Sequence, residues 1–180
     1  MALAKKVKGK YLRGFYTGGT LCDEAQLLSR SFCGDCWSNT PLDEKYKLAD
    51  VWQSKGNTIL DLGDDEFTAG KPHPMIDFSL RNSRILQEAA DPDVAVILLD
   101  LVLGYGSHMD PAGELVPVIS AAKQKSPDTC IIFSITGTPG DPQNRDQVKN
   151  ALEKAGARFM PSNAAASLLA AHLIKNRGGK

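Results

Sequence analysis

The residues of this 180-residue chain that could do chemistry lie in three glycine-rich turns and two proline-bearing loops. The turns are Gly18-Gly19-Thr20, Gly104-Tyr105-Gly106 and Gly137-Thr138-Pro139-Gly140. Glycine lets the backbone approach a ligand closely, and the first N–H groups and positive dipole end of a following helix attract an anion. At Gly18-Gly19-Thr20 that anion would be a phosphate or carboxylate, with the Thr20 hydroxyl as an added donor. Any tight strand-to-helix turn selects glycine, but three at one sheet edge point to an anion site. His73 and His108 stand in the loops, where an imidazole can be acid, base or phosphoryl carrier, and they are the candidate catalytic residues. His172 lies mid-helix and reads as structural. Asp64 and Asp65, with Glu66 behind them, follow a strand end and could position a substrate amine or hold magnesium. The same carboxylates are ordinary in a solvated loop, and no resident metal is expected.

The four cysteines are Cys22, Cys33, Cys36 and Cys130. Cys33-Gly34-Asp35-Cys36 has C-x-x-C spacing, which raises redox chemistry or half a zinc site. A structural zinc needs four ligands, and there is no second pair. A thioredoxin-type motif opens a helix after a strand, whereas this one closes the helical stretch 20–32. Ordinary reduced thiols are expected.

The elements that must position these residues follow from periodicity. The run VAVILLDLVL has to be buried on both faces, so it reads as a central strand of a parallel sheet. It empties into GYGSHMDPAGEL, and ligands of open α/β sheets sit outside such strand ends. Strands are expected over YLRGFYT, NTILDL, 94–103, CIIFSIT and RFM. Helices are expected from Thr20 to about Phe32, from about Ser79 to Ala90, from Pro111 or Gly113 to Lys125, from about Asn144 to Lys154, and from a Ser162 or Asn163 cap to Lys175. The apolar face of the first helix is read as Leu21, Ala25, Leu27 and Leu28. Residues 33–56 read as irregular or weakly helical. FTAGKPHPMID is a loop broken by Pro72 and Pro74. Alternating strands and helices give a three-layer α/β/α sandwich with a flavodoxin-like parallel sheet. One domain is expected over 10–176, behind a loose basic lead over 1–9.

Lys+Arg 21 balances Asp+Glu 21, which removes the electrostatic argument for nucleic acid or an anionic membrane as partner. No apolar run approaches the about 20 residues that span a bilayer, and no apolar stretch follows the basic start as in a signal peptide. A cytoplasmic location is expected. A response-regulator receiver, with Asp100 as phospho-acceptor and Thr136 as switch residue, fails on two positions. Asp64-Asp65 stands directly before the Asp100 strand, and no lysine follows the last strand.

GFYTGGTLCDEA resembles the segment of succinyl-CoA synthetase α subunits in which a strand turns through S-G-T-L-T-Y-E into a helix. Gly19, Thr20, Leu21 and Glu24 match that motif. The resemblance runs over about 11–173 and is closer to FdrA-type acyl-CoA synthetase relatives, through GGTLCDEA, ILDLGDDEFTAGKPHPMID, LRNSRI, LDLVLGYGSHMDPAGEL and TGTPGDPQN. It implies the ligase domain of a succinyl-CoA-synthetase-like protein, with an acyl or phosphoryl anion held at Gly18, Gly19 and Thr20. Gly104, Tyr105, Gly106, Gly137 and Thr138 would then be further walls. In synthetases the phosphohistidine follows the strand matching Cys130–Thr136; here that loop, GTPGDPQNRDQ, has no histidine. No G-x-G-x-x-G precedes the region, so CoA or phosphate would be bound together with partner domains or subunits, or in a homo-oligomer. Relatives of the family are also implicated in carbamoyl transfer in oxamate and allantoin breakdown, which needs an anion pocket for carbamoyl phosphate. A third reading is a non-catalytic oligomerisation module.

Overall fold

The computed structural model of the chain describes residues 7–176. Five strands, β1 (Tyr11–Tyr16), β2 (Thr58–Asp61), β3 (Val94–Val102), β4 (Cys130–Thr136) and β5 (Arg158–Met160), form one parallel sheet in the order β2-β1-β3-β4-β5. Helices α1 (Gly19–Cys33) and α6 (Asn163–Lys175) cover one face. Helices α3 (Ser79–Ala89), α4 (Pro111–Lys125) and α5 (Arg145–Lys154) cover the other, and α2 (Asp65–Thr68) is a single turn. The expected three-layer sandwich with flavodoxin-like strand order is therefore present.

The physics of β3 explains the architecture. Its first eight residues are all buried, as a strand flanked by helices on both faces requires. Ile97, Leu99 and Leu101 enter the core under α3, α4 and α5, with Phe15 and Phe133. Leu98 enters the other core, with Leu12, Tyr16 and Ile132. The β1–β3 register shifts between Tyr11 and Leu12, so Ala95 and Val96 both fall in the α1–α6 core. Among the described residues no helix is long and apolar enough to cross a membrane.

Helix α1 keeps Ala25 and Leu21 of its expected apolar face against the core but turns Leu27 outward. It buries Cys22, Ala25, Gln26 and Ser29, while Leu27 is 59% exposed. Cys22, Ala25 and Ser29 turn toward the sheet and α6, whose buried apolar side chains here are Ala166, Ala170, Leu173 and Ile174. Residues 34–57 run irregularly along the outer edge of β2. There Trp37 donates its N–H to Asn57 O at 2.8 Å and accepts from Ile59 N at 2.9 Å, which covers an edge strand that would otherwise be open. Of the expected basic lead, residues 1–6 lie outside the described residues. Val7 is buried in the α1–α6 core, and Lys8 pairs with Asp128 at 2.8 Å.

Candidate functional site

β1 sends its connection to one face of the sheet and β3 to the other, so a crevice opens between their carboxyl ends. It holds a pocket of about 170 Å³. One wall is Thr17 to Leu21; the other is Asp100 and Val102 of β3, with Met75 from the loop before α3. Gly18 precedes α1 without any side-chain cap. The first intrahelical bond runs from Cys22 N to Gly18 O at 3.3 Å, so the N–H groups of Gly19, Thr20 and Leu21 have no partner within the helix. Nothing lies within 4 Å of where a Gly18 Cβ would stand.

Two buried carboxylates flank this helix end. Asp100 is 2% exposed and accepts from Thr17 N at 3.0 Å and Thr17 Oγ1 at 2.7 Å. Arg81, fully buried, donates from Nη1 to Asp100 O at 2.8 Å and lies 3.7 Å from Oδ1. Its Nε and Nη2 have no hydrogen-bond partner, and its guanidinium sits 4.2 Å over the Phe78 ring. Burial pushes the Asp100 carboxyl up, against the pull of Arg81 and Thr17, and pushes the Arg81 guanidinium down. Asp61 is clamped by Asn39, which donates to its carbonyl and accepts its N–H, both at 3.0 Å. Its Oδ2 lies 3.4 Å from where a Gly19 Cβ would be, and its Oδ1 accepts from Gly63 N at 2.8 Å. Desolvation raises the Asp61 carboxyl, helped by Asp64 and Asp100; the Gly63 N–H and His73 oppose it.

The half-buried His73 accepts from Met75 N at Nδ1, 3.2 Å away, which puts the proton of a neutral ring on Nε2. A Cβ on Gly63 would meet that Nε2 at 2.8 Å, the Thr17 carbonyl oxygen at 2.9 Å and Asp61 Oδ1 at 3.1 Å. Gly63 thus leaves the space in which His73 and Asp61 approach. We expect Gly63→Ala to cost about 1–3 kcal/mol by overpacking and to displace the His73 ring. Urea unfolding and the His73 ring resonances check the two effects.

His73 and Asp61 do not line the pocket themselves, and His108 too stands outside it. His108 donates its N–H to Met75 O at 2.8 Å, accepts from Asp110 N at Nδ1 (3.1 Å) and from Gln143 Nε2 at its carbonyl (3.2 Å). It fastens the loop of His73 to the loop after β3. The second and third glycine turns share the edge but line other ground. Gly104 takes a φ of 129° that favours glycine. Its N–H goes to Gln143 Oε1 at 3.1 Å and its carbonyl accepts from Gln143 Nε2 at 2.6 Å. Tyr105 is 87% exposed and Gly106 is open to solvent. A Cβ on Gly137 would come within 2.9 Å of Leu103, and Thr138 gives both its N–H and its hydroxyl to Asp141. Asp64 caps α2 by accepting from Glu66 N at 3.0 Å, and Asp65 is exposed. The residues that sequence reasoning left out of the site are Thr17, Asp61, Met75, Arg81 and Asp100. A lone aspartate in the apolar run of β3 was the available signal.

Fold and site together define a doubly wound α/β domain with an open helix N-terminus at its switch point. A family model described as CoA-ligase matches residues 15–173, and the chain belongs to that family. It is 43% identical over 169 residues, 92% of its length, to a protein of Escherichia coli K12 named Uncharacterized protein YahF. Its fold resembles that of the apo dinucleotide forming acetyl-coenzyme A synthetase 1 of Ca. Korarchaeum cryptofilum, with TM-score 0.59 and 18% identity over 93% of the chain. It also resembles PH0766 from Pyrococcus horikoshii OT3, with TM-score 0.55 and 13% identity over 96% of the chain. The chain spans 33% of the first two proteins and 37% of the third.

Proposed function

We propose that the chain is a domain of an FdrA-type, succinyl-CoA-synthetase-like acyl-CoA ligase, and that the β1–β3 crevice takes an acyl or phosphoryl anion on the first turn of α1. The observation that carries this reading is the uncapped α1 N-terminus opening onto a pocket at the switch point. The N–H groups of Gly19, Thr20 and Leu21 and the Thr20 hydroxyl are its donors. The anion enters between Asp61 and Asp100, whose carboxyls burial already pushes up. Its charge favours their neutral forms further, so binding takes up protons and weakens as pH rises. In this reading His73, whose Nε2 shares the space beside Gly63 with Asp61, passes a proton to or from the bound group, and His108 positions the His73 loop. CoA and nucleotide are supplied by other domains or subunits, in keeping with a chain that spans a third of its relatives.

The second reading is carbamoyl transfer by the same pocket, with carbamoyl phosphate as the anion. It is favoured by the loop after β4, 137–147, which has no histidine to carry a phosphoryl group. Isothermal titration with inorganic phosphate, CoA and carbamoyl phosphate tests both. Phosphate or carbamoyl phosphate is expected to bind, and Thr20→Val to weaken it about tenfold, the worth of one hydrogen bond to a charged group. Sulfate, whose own charge is constant, is expected to bind less tightly as pH rises. Silence with all three ligands, or a Thr20→Val protein of unchanged affinity, overturns the anion site.

A further inference from the structure

The C-x-x-C segment lies at the far end of α1 from the crevice. Cys33 is the last residue of α1, and its thiol bonds back to Ser29 O at 3.3 Å. Gly34 then reverses the chain with a φ of 78°, in the left-handed region that favours glycine. The reversal returns Cys36 beside Cys33. Both thiols point at one acceptor, the Gly34 carbonyl oxygen, each at 3.9 Å. Cys33 is close enough to be the largest influence on the Cys36 thiol, which it pushes up. Cys33 is half-buried, whereas Cys36 is 4% exposed in the α1–α6 core. No group of three or more Cys, His, Asp and Glu among the described residues is arranged to hold a metal ion. Two adjacent reduced thiols, one reachable and one sheltered, are what remains to be explained.

We propose that Cys33 and Cys36 are a reversible modification site, closed to an intramolecular disulfide by low-molecular-weight disulfides such as oxidised glutathione. The Cys33 thiolate attacks one sulfur of the small disulfide and expels one small thiolate, which takes up a proton. Cys36 then loses its proton and attacks the Cys33 sulfur, and the second small thiol leaves. Two protein thiols lose two electrons, and one small disulfide gains them to become two thiols. The division of labour follows from burial. Cys33 meets the reagent; Cys36, whose thiol is pushed well up by its neighbour Cys33 and by desolvation, reacts only once the mixed disulfide has formed beside it.

The bond would reach the crevice through a short covalent path. Cys36 leads into Trp37, which pairs with β2, and then into Asn39, whose amide clamps Asp61 beside the start of α1. Trp37 directly follows Cys36, so its fluorescence reports the change.

The test equilibrates the 180-residue chain in graded mixtures of oxidised and reduced glutathione, quenches with N-ethylmaleimide and maps the peptides by mass spectrometry. A single Cys33–Cys36 disulfide is expected, with Cys22 and Cys130 alkylated after unfolding. In a Trp52→Phe protein, which leaves Trp37 as the one tryptophan, fluorescence should fall on oxidation and return with dithiothreitol. Cys36→Ser should stop at one glutathione on Cys33. Gly34→Ala, which leaves both thiols in place but strains the reversal, should lower the disulfide yield several-fold. Alkylation of both cysteines at every ratio overturns the proposal. So does a disulfide to Cys22 or Cys130, or a persistent glutathione adduct on unaltered protein.

Discussion

Asp100→Ala is expected to destabilise the domain by about 3–5 kcal/mol, the cost of breaking a buried ion pair from one side. The loss falls on two elements at once. Thr17 N–H and Thr17 Oγ1 lose the carboxylate they share, and the fully buried Arg81 keeps its charge with no counter-ion. A guanidinium cannot escape by giving up its proton. The reverse deletion is expected to cost less, because in Arg81→Met the carboxyl of Asp100 can neutralise itself by taking a proton. Asp100→Asn should fall between, since its side-chain oxygen still accepts the Thr17 N–H. Urea unfolding of the three variants gives the order Ala, then Asn, then Arg81→Met, from most to least destabilised. An Asp100→Ala protein as stable as a surface variant would refute the argument.

The pH dependence has a definite sign. The folded Asp100 carboxyl lies above its ordinary value because burial disfavours its charge. Below the unfolded carboxylate range both states are protonated, and this contribution to stability is fully present. It is lost as pH rises through the folded value, where the native state must give up a proton against desolvation. Asp100→Asn removes that slope. The gap between the two proteins should therefore be widest in acid and narrow as pH rises.

The layers of the fold were legible in the residues because burial writes itself into hydrophobic period. VAVILLDLVL cannot be solvated on either face, CIIFSIT and RFM read as strands at their observed bounds, and Ser162 caps α6 as a serine before an alanine-rich helix should. The inward face of α1 was legible only at Leu21 and Ala25. Leu21 packs against the α1–α6 core while Leu27 faces solvent, and the buried Gln26 and Ser29 are residue types that do not announce a core face. The site was legible in part. Glycine turns announce where backbone can approach a ligand, but not whether neighbours already hold its donors. Asp141 lies three residues from Thr138 of the turn it occupies and Gln143 39 residues from Gly104, and nothing in residue type alone assigns either there. Asp61 and Asp100 escaped for another reason. Each gains meaning only from a partner far along the chain, His73 or Asn39 for one and Arg81 or Thr17 for the other.

Glu88→Ala is expected to be at least as costly as Asp100→Ala, yet to leave the crevice intact. α3 runs antiparallel to the strands, so its start places Arg81 at the carboxyl edge and its end places Glu88 at the opposite edge. There one carboxylate, 5% exposed, serves two guanidiniums, Arg13 Nε at 2.6 Å and Arg84 Nη2 at 3.1 Å. Arg13 is 3% and Arg84 2% exposed. Each also reaches backbone carbonyls of the run into β2, Arg13 at Gly56 and Arg84 at Trp52, so the network ties β1 to α3 and to that run. Removing Glu88 strands the buried Arg84 and leaves Arg13 only the part-exposed Asp91, 3.8 Å from its Nη2, and a loss of about 3–5 kcal/mol is expected, or roughly 10 °C in Tm for a domain of this size. Replacing the cluster by apolar residues of similar volume, as in Arg13→Met/Glu88→Met/Arg84→Met, should recover most of the loss. The two deletions then separate stability from site. At a temperature where both variants are folded, Glu88→Ala should bind phosphate or carbamoyl phosphate as the unaltered chain does. Asp100→Ala should not, because Thr17, the hinge between β1 and the α1 N-terminus, has lost the carboxylate that holds it. Equal binding by both variants would mean that Asp100 only stabilises the fold.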